Sequence, residues 1–212
     1  MLRSVLILVA LLGPSHATAQ NELTVGTVYV DKTDTFVTKG TVQLSHPVDR
    51  VARVAADLHA YHRWVLEKIN VRQDGKPYII KLNSVIYRPG LPHGLGHFVV
   101  GYDIDLVWPF GRENQEIKFA VVHKPPHPAG GISALVLNLW GDNRAIKTFS
   151  LSLYGRGTHT VSHIDFIANV QLTGWIDVFF PLSVYRKNIE QRVVKVIVNL
   201  RAYLAQGHGP KP

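Results

Sequence analysis

The sequence predicts an α+β fold in which an antiparallel β-sheet packs on one long C-terminal helix. Three observations predict it: a short apolar helix near residue 50, a long run of segments with strand-like alternation, and an apolar stripe at helical spacing near the C-terminus. The 212 residues contain no internal repeat, low-complexity tract or linker. One domain with a core of its own is therefore expected.

Residues 1–19 are predicted to be a secretory signal peptide. Arg3 precedes an apolar run over residues 5–12, and Ala17 and Ala19 form a small-residue cleavage site before Gln20. The apolar run is too short to span a membrane. The mature protein is therefore expected to begin near Gln20 and to be periplasmic or secreted. An uncleaved anchor or a buried N-terminal helix is the alternative.

Composition limits the expected partners. The chain has no cysteine, so an exported form must be stable without disulfides, which suits a bacterial periplasm. Its net charge of +8 at pH 7 favours transient contact with an anionic membrane surface. The basic residues are scattered and form no run interleaved with aromatic residues. Nucleic acid is therefore not an expected partner, and the protein is expected to be a monomer.

The domain is predicted to begin with a strand over residues 36–44, after an N-terminal extension over residues 20–35. A helix follows, because Pro47 suits the first helical position and Asp49 places negative charge at the helix N-terminus. Its apolar face recurs at helical spacing and consists of Val48, Val51, Val54, Ala55 and Leu58. This face needs a sheet to pack against.

Further strands are predicted over residues 78–86, 98–108, 116–123, 132–140, 145–154 and 161–172. Alternation is clearest in the second of these, where one face carries Phe98, Val100, Tyr102, Ile104, Leu106 and Trp108. The other face of that strand carries Gly101, Asp103 and Asp105. The last strand repeats the contrast, with Ile164, Phe166, Ala168, Val170 and Leu172 opposite His163, Asp165, Asn169 and Gln171. The strand predicted over residues 78–86 is expected to carry these side chains on one face: Tyr78, Ile80, Leu82, Ser84 and Ile86.

The last predicted element is a helix over residues 181–205, which would span roughly 36 Å. Its apolar stripe consists of Tyr185, Ile189, Val193, Val196, Ile197, Leu200 and Leu204. The opposite side is expected to carry Lys187, Gln191, Lys195 and Asn199. The width of the apolar arc indicates that the sheet grips this helix, and an amphipathic helix on a membrane surface is the alternative.

The segments on either side of this helix carry predictions too. Residues 174–181 are unusually apolar and aromatic for a connection. They are expected to pack beneath the helix start, to close one end of a cavity, or to touch a membrane. Residues 207–212 are expected to form a disordered tail.

A loose signature follows the first predicted strand and consists of Pro47, Val51, Asp57, Tyr61 and Trp64. In its spacing this segment resembles the START-like and Bet v 1-like superfamily, which includes polyketide cyclases and lipid-transfer domains. The resemblance implies a helix-grip fold over residues 36–206: a curved antiparallel sheet wrapped around the long C-terminal helix, with two short helices after the first strand. It also implies a hydrophobic cavity between sheet and helix, and it brings no catalytic motif.

The expected function is to bind a hydrophobic small molecule, most simply a lipid, for carriage or sequestration without a cofactor. The predicted ligand-binding residues are Tyr78, Ile80, Leu82, Phe98, Val100, Tyr102, Ile104, Trp108, Phe119, Val121, Ile164, Phe166, Ile189 and Val193. Two alternatives remain open. One is a cyclase or hydrolase of the same superfamily, and the other is a protein-interaction domain whose cavity is filled by its own side chains.

No catalytic or metal-binding residue is predicted. Three histidine pairs lie four residues apart: His93 and His97, His123 and His127, His159 and His163. On a strand or loop that spacing separates the two residues by about 13 Å, too far for one ion. The candidates for acid–base chemistry are Asp103, Asp105, His163 and Asp165, all expected on exposed faces with ordinary pKa values. A nucleophile elbow and a glycine-rich phosphate loop are both absent from the sequence.

Overall fold

The computed structural model describes residues 22–91, 94–106, 109–123, 132–174 and 181–206. Eight antiparallel strands form one sheet in the order β1-β2-β8-β7-β6-β5-β4-β3. The strands are β1 Leu23–Val30, β2 Thr35–Leu44, β3 Ile80–Leu91, β4 Gly94–Ile104, β5 Arg112–His123, β6 Ile132–Leu139, β7 Ile146–Gly157 and β8 Ser162–Leu172. The α-helices that lie within these ranges are α1 Val48–Ala56 and α2 Leu182–Ala205. The predicted α+β helix-grip architecture is confirmed.

The sheet begins earlier than predicted. Residues 20–35 were expected to be an extension outside the domain, but Leu23–Val30 forms β1 and pairs with β2 along its whole length. A short 3₁₀ turn over Asp31–Thr33 joins the two strands, and Asp34 completes the reversal in the left-handed region at φ 50°. Residues 23–30 are therefore the edge strand of the sheet and part of the domain.

The two short helices occur after β2, as predicted. Helix α1 begins after Pro47 and buries Val51 and Val54, so its apolar face does pack inward. A 3₁₀ helix over Leu58–Arg63 follows it and buries Leu58. Both elements lie on the same side of the sheet as α2, because they share its hydrophobic clusters.

Strand β3 departs from regular alternation. Its register against β4 shifts between Leu82 and Ser84, which marks a β-bulge. Before the bulge, Leu82 lies on the face that packs inward, and after it Val85 does, being 7% exposed. The prediction that Ser84 and Ile86 share a face with Leu82 is therefore wrong, and Ile86 is 49% exposed.

Helix α2 is covered on more sides than predicted. Its apolar stripe packs on β2 through Ile197, Leu200 and Leu204. Gln191 and Asn199, which were expected to face solvent, are each only 8% exposed. The connection over residues 64–80 covers them, because the Asn199 amide donates to the Glu67 carbonyl at 2.8 Å and the Tyr78 hydroxyl donates to Gln191 Oε1 at 3.0 Å.

The same connection binds a third position of this side of the helix. Lys195 Nζ donates to the Lys68 carbonyl at 2.9 Å. Asn199 and Lys195 thus satisfy backbone carbonyls of an irregular segment that packs over them. Within the described part of the chain, no helix is both long and apolar enough to cross a membrane.

Candidate ligand-binding cavity

The inner face of the sheet is defined here as the face on which α2 packs. It contains Val42, which contacts the helix cluster, and the strand registers extend this face across the sheet. Paired positions form continuous apolar rows along it. One row runs from β3 to β6 and consists of Tyr87, Phe98, Phe119 and Leu139, and a second runs from β2 to β7 and consists of Phe36, Val170 and Phe149.

The direction of α2 fixes which helix residues face this surface. Glu190 Oε1 accepts a hydrogen bond from the Thr27 amide of β1 at 2.7 Å, while Arg192 Nη2 donates to the carbonyl of Ile80 in β3. The two edge strands therefore lie on opposite sides of the helix. Each residue turns the helix by about 100°, so Ile189 and Val193 point between these directions, toward the inner face.

The middle of the inner face is incompletely buried. Seven apolar side chains there are only partly buried: Val100, Phe119, Leu137, Leu139, Phe149, Leu151 and Leu153. Helix α2 lies against β1 and β2, so it leaves the central strands less covered. Leu151 of the sheet and Ile189 of the helix pack into none of the four buried clusters that the described residues form. Close-packed interiors bury such residues fully, and we take these two as the centre of the candidate site.

The structure distributes the predicted site residues over several neighbouring clusters. Phe98, Val100, Phe119 and Val121 pack with Leu58 and Tyr61 of the 3₁₀ helix, in the cluster nearest the short helices. A second cluster near the bulge contains Tyr102 and Ile104 together with Ile80 and Leu82. Ile164 and Val193 pack where α2 meets β2 and β8. Their contact with a ligand stays a prediction.

The remaining predicted residues have distinct surroundings. Tyr78 is buried and bonded to α2, and Ile189 is partly buried on the helix. Phe166 lies against Gly40 of the neighbouring strand, where an added Cβ would be 2.3 Å from the Phe166 ring. Trp108 lies outside the described residues.

Strands β6 and β7 were predicted, but their side chains were not among the predicted ligand-binding residues. The inner positions of β6 and β7 are Leu135, Leu137, Leu139, Phe149, Leu151 and Leu153. Their alternation with Asn138, Ser150 and Ser152 is visible in the sequence, and it marks the same dry face and wet face as β4. This alternation was the signal that could have found them.

A few polar groups border the apolar surface. The hydroxyls of Thr27 and Thr38 form a buried pair at 3.0 Å between β1 and β2. The Trp64 indole N–H is buried with no hydrogen-bond partner in the described part of the structure. The guanidinium of Arg192 lies over the Tyr78 ring, 4.3 Å from its centroid. Burial lowers the pKa of Arg192 to about 10.

The acid–base candidates are on the outer face. Asp105 forms an ion pair with Lys81 at 2.7 Å, and Asp165 accepts a hydrogen bond from Thr41 Oγ1 at 2.7 Å. Hydrogen bonds, the largest from the Asn114 amide, lower the pKa of Asp103. His163 of β8 lies opposite Arg156 of the neighbouring strand β7, on the same outer face. These four groups point away from the candidate cavity.

Among the side chains that the structure describes, the inner-face positions of the eight strands carry no carboxylate and no imidazole. No group of three or more His, Cys, Asp or Glu side chains in these ranges could hold a metal ion.

Solved structures with the same fold include lipid transfer proteins. A STAR-related lipid transfer protein from Xanthomonas axonopodis matches with a TM-score of 0.56 and 12% identity, over 90% of this chain and 97% of that chain. A human lipid transfer and protein localization domain matches with a TM-score of 0.52 and 13% identity, over 88% of this chain and 85% of that chain. A di-domain ARO/CYC from the steffimycin biosynthetic pathway matches with a TM-score of 0.52 and 7% identity, over 83% of this chain and 52% of that chain.

These matches give the chain the START/Bet v 1-like fold, which the residues from Pro47 to Trp64 had predicted. At such identities the likeness concerns the fold alone. No protein-family model matches the sequence, and no curated protein does either.

Proposed function

We propose that this protein binds a hydrophobic small molecule, in the first instance a lipid, between the inner face of the sheet and α2. The observation that carries the proposal is the pair Leu151 and Ile189, which are apolar, partly buried and outside every described core cluster. An apolar ligand lying between them would remove both side chains from water, at roughly 25 cal/mol per Å² of apolar surface buried. The lipid transfer proteins that share the fold support the same reading.

The biological role that fits this binding is carriage or sequestration outside the cytoplasm. The basic start, short apolar run and Ala17-Thr18-Ala19 site support export. A lipid cannot cross an aqueous compartment alone, and a carrier with a net charge of +8, or +7 once Arg3 is removed with the signal peptide, would approach anionic membranes favourably. Vesicle co-sedimentation that increases with the anionic lipid fraction and falls with added salt would support this contact; binding insensitive to both would contradict it.

The cyclase or hydrolase alternative has weaker support from the site. An ARO/CYC protein shares the fold, but the titratable candidates Asp103, Asp105, His163 and Asp165 lie on the outer face. General acid–base catalysis needs such groups within hydrogen-bonding reach of the substrate. The protein-interaction alternative requires a filled cavity, which the partly buried inner-face side chains disfavour.

Native mass spectrometry of protein purified from the producing cell, followed by organic extraction, tests the proposal. We expect a stoichiometric adduct of lipid mass that disappears when the protein is unfolded. Delipidated protein should then bind a fluorescent fatty-acid probe with about 1:1 stoichiometry. Protein that carries no adduct and binds no apolar probe would contradict the proposal and favour a filled cavity.

A further inference from the structure

Arg192 is a partly buried cation without a carboxylate partner among the described residues. Its Nη2 donates to the Ile80 carbonyl, and its guanidinium lies over the Tyr78 ring. Its Nε is buried and has no hydrogen-bond partner in the described ranges. The ion pairs of this part of the chain join other residues: Arg72 with Asp74, Lys81 with Asp105, and Arg156 with Asp165.

A guanidinium in this position is costly to the folded protein. Removing a charge from water costs several kcal/mol unless an opposite charge or hydrogen bonds compensate it. Burial lowers the pKa of Arg192 to about 10, so the group remains protonated at neutral pH. The Tyr78 ring offsets part of that cost. A carbonyl and a ring therefore leave this partly buried charge without an opposite charge among the described residues.

The position of this charge relates it to the cavity. Ile189 precedes Arg192 by three residues on α2 and therefore lies on an adjoining part of the helix surface. Ile80, whose carbonyl accepts the bond from Arg192, packs in the cluster that contains Tyr102 and Ile104. Arg192 thus lies at the β3 side of the apolar surface, where the helix and the edge strand meet.

We propose that Arg192 binds the anionic head of the ligand, a carboxylate or a phosphate, while the apolar part of the same molecule lies along the inner face. This inference rests on the proposed function and specifies its ligand class as an acidic amphiphile. A guanidinium presents its donors in a planar fork that matches the oxygens of either group. The ligand would supply the negative charge that Arg192 lacks among the described residues. The Tyr78 ring would pack against the guanidinium plane and orient it.

The test compares three ligands of equal chain length on delipidated wild-type protein: oleic acid, oleyl alcohol and the lysophosphatidic acid with an oleoyl chain. Displacement of a fluorescent probe gives the affinity of each. We expect at least one acidic ligand to bind about 10-fold or more tightly than the alcohol, and the preferred acid identifies carboxylate or phosphate as the head. Equal affinities for the three ligands would overturn the role of Arg192 and leave the proposed function intact. If none of the three ligands bound, both the role of Arg192 and the proposed function would be overturned.

Variants separate a charge contact from a structural role of the same side chain. Arg192→Gln should abolish the preference for the acid and leave the affinity for the alcohol within about 2-fold. Arg192→Lys keeps the charge but lacks the fork, and should keep part of the preference. Lys195→Gln removes another cation of α2, one that donates to the Lys68 carbonyl of the connecting segment, and should keep the whole preference. If Arg192→Gln weakened binding of the acid and of the alcohol equally, Arg192 would have only a structural role in joining α2 to β3. If that variant does not fold, the comparison of the three ligands on wild-type protein still tests the preference for an acidic head.

Discussion

Glu190 and Arg192 lie two residues apart on α2 and bind the two opposite edges of the sheet. Glu190 accepts from the Thr27 amide of β1, and Arg192 donates to the Ile80 carbonyl of β3. These strands are the first and last in the sheet order. Their edges would otherwise expose unpaired backbone groups, which proteins usually cover or protect. One turn of α2 therefore connects the two edge strands of the curved sheet through its side chains.

Removing the acceptor at Glu190 should weaken this closure. Glu190→Ala leaves a partly buried amide of Thr27 without its partner, and we expect a loss of about 1–3 kcal/mol in the free energy of unfolding. Urea unfolding followed by circular dichroism measures it. Glu190→Gln retains a carbonyl oxygen that can accept the same bond, and should lose clearly less. Identical midpoints for Glu190→Ala and the parent would show that the contact contributes nothing.

The helix stripe can be tested by two neighbouring positions. Ile197 is 8% exposed between α2 and the sheet, whereas Val198 next to it is 52% exposed. Ile197→Asp buries an unpaired carboxylate and should cost at least about 3 kcal/mol, enough to unfold a marginal domain. Val198→Asp should stay within about 0.5 kcal/mol of the parent. Similar thermal unfolding of the two variants would mean that the sheet does not grip the helix.

Strands β1, β2 and β8 offer a test of close packing. An added Cβ at Gly40 would be 2.3 Å from the Phe166 ring and 2.5 Å from the Thr24 carbonyl oxygen, whereas at Gly26 nothing lies within 4 Å. Gly40→Ala should destabilise the protein by about 1–3 kcal/mol through overpacking. Gly26→Ala, on the adjacent strand, should be neutral or slightly stabilising. A neutral Gly40→Ala in differential scanning calorimetry would contradict this packing.

The regular elements could be predicted because their periodicity is strict. Strand β8 alternates without interruption, and its inner face from Ile164 to Leu172 is as the sequence predicts. In β3 one extra residue near Asn83 reverses the alternation. No hydropathy pattern indicates that insertion, so the exposed face of Ile86 could not be predicted.

The other differences come from tertiary contacts. Gln191 and Asn199 look like solvent positions in any helical projection, and only the irregular connection over residues 64–80 buries them. Thr27 is polar and near the predicted cleavage site, and its burial depends on Thr38 across the strand pair. Arg192 gave no signal in the sequence, because a lone arginine on a helix is usually a surface residue.

An open apolar space between the sheet and α2 can be tested by the insertion of one large side chain. Leu151→Trp places a large ring where the described side chains leave Leu151 outside every core cluster. Val42→Trp inserts the same ring where the inner face is fully buried against α2, and it should cost about 1–3 kcal/mol or more. Thermal unfolding and uptake of a fluorescent fatty-acid probe are measured on both. We expect Leu151→Trp to keep the stability of the parent and to lose uptake of the probe. A Leu151→Trp protein that is as destabilised as Val42→Trp, or that takes up the probe as the parent does, would rule out an open space at this position.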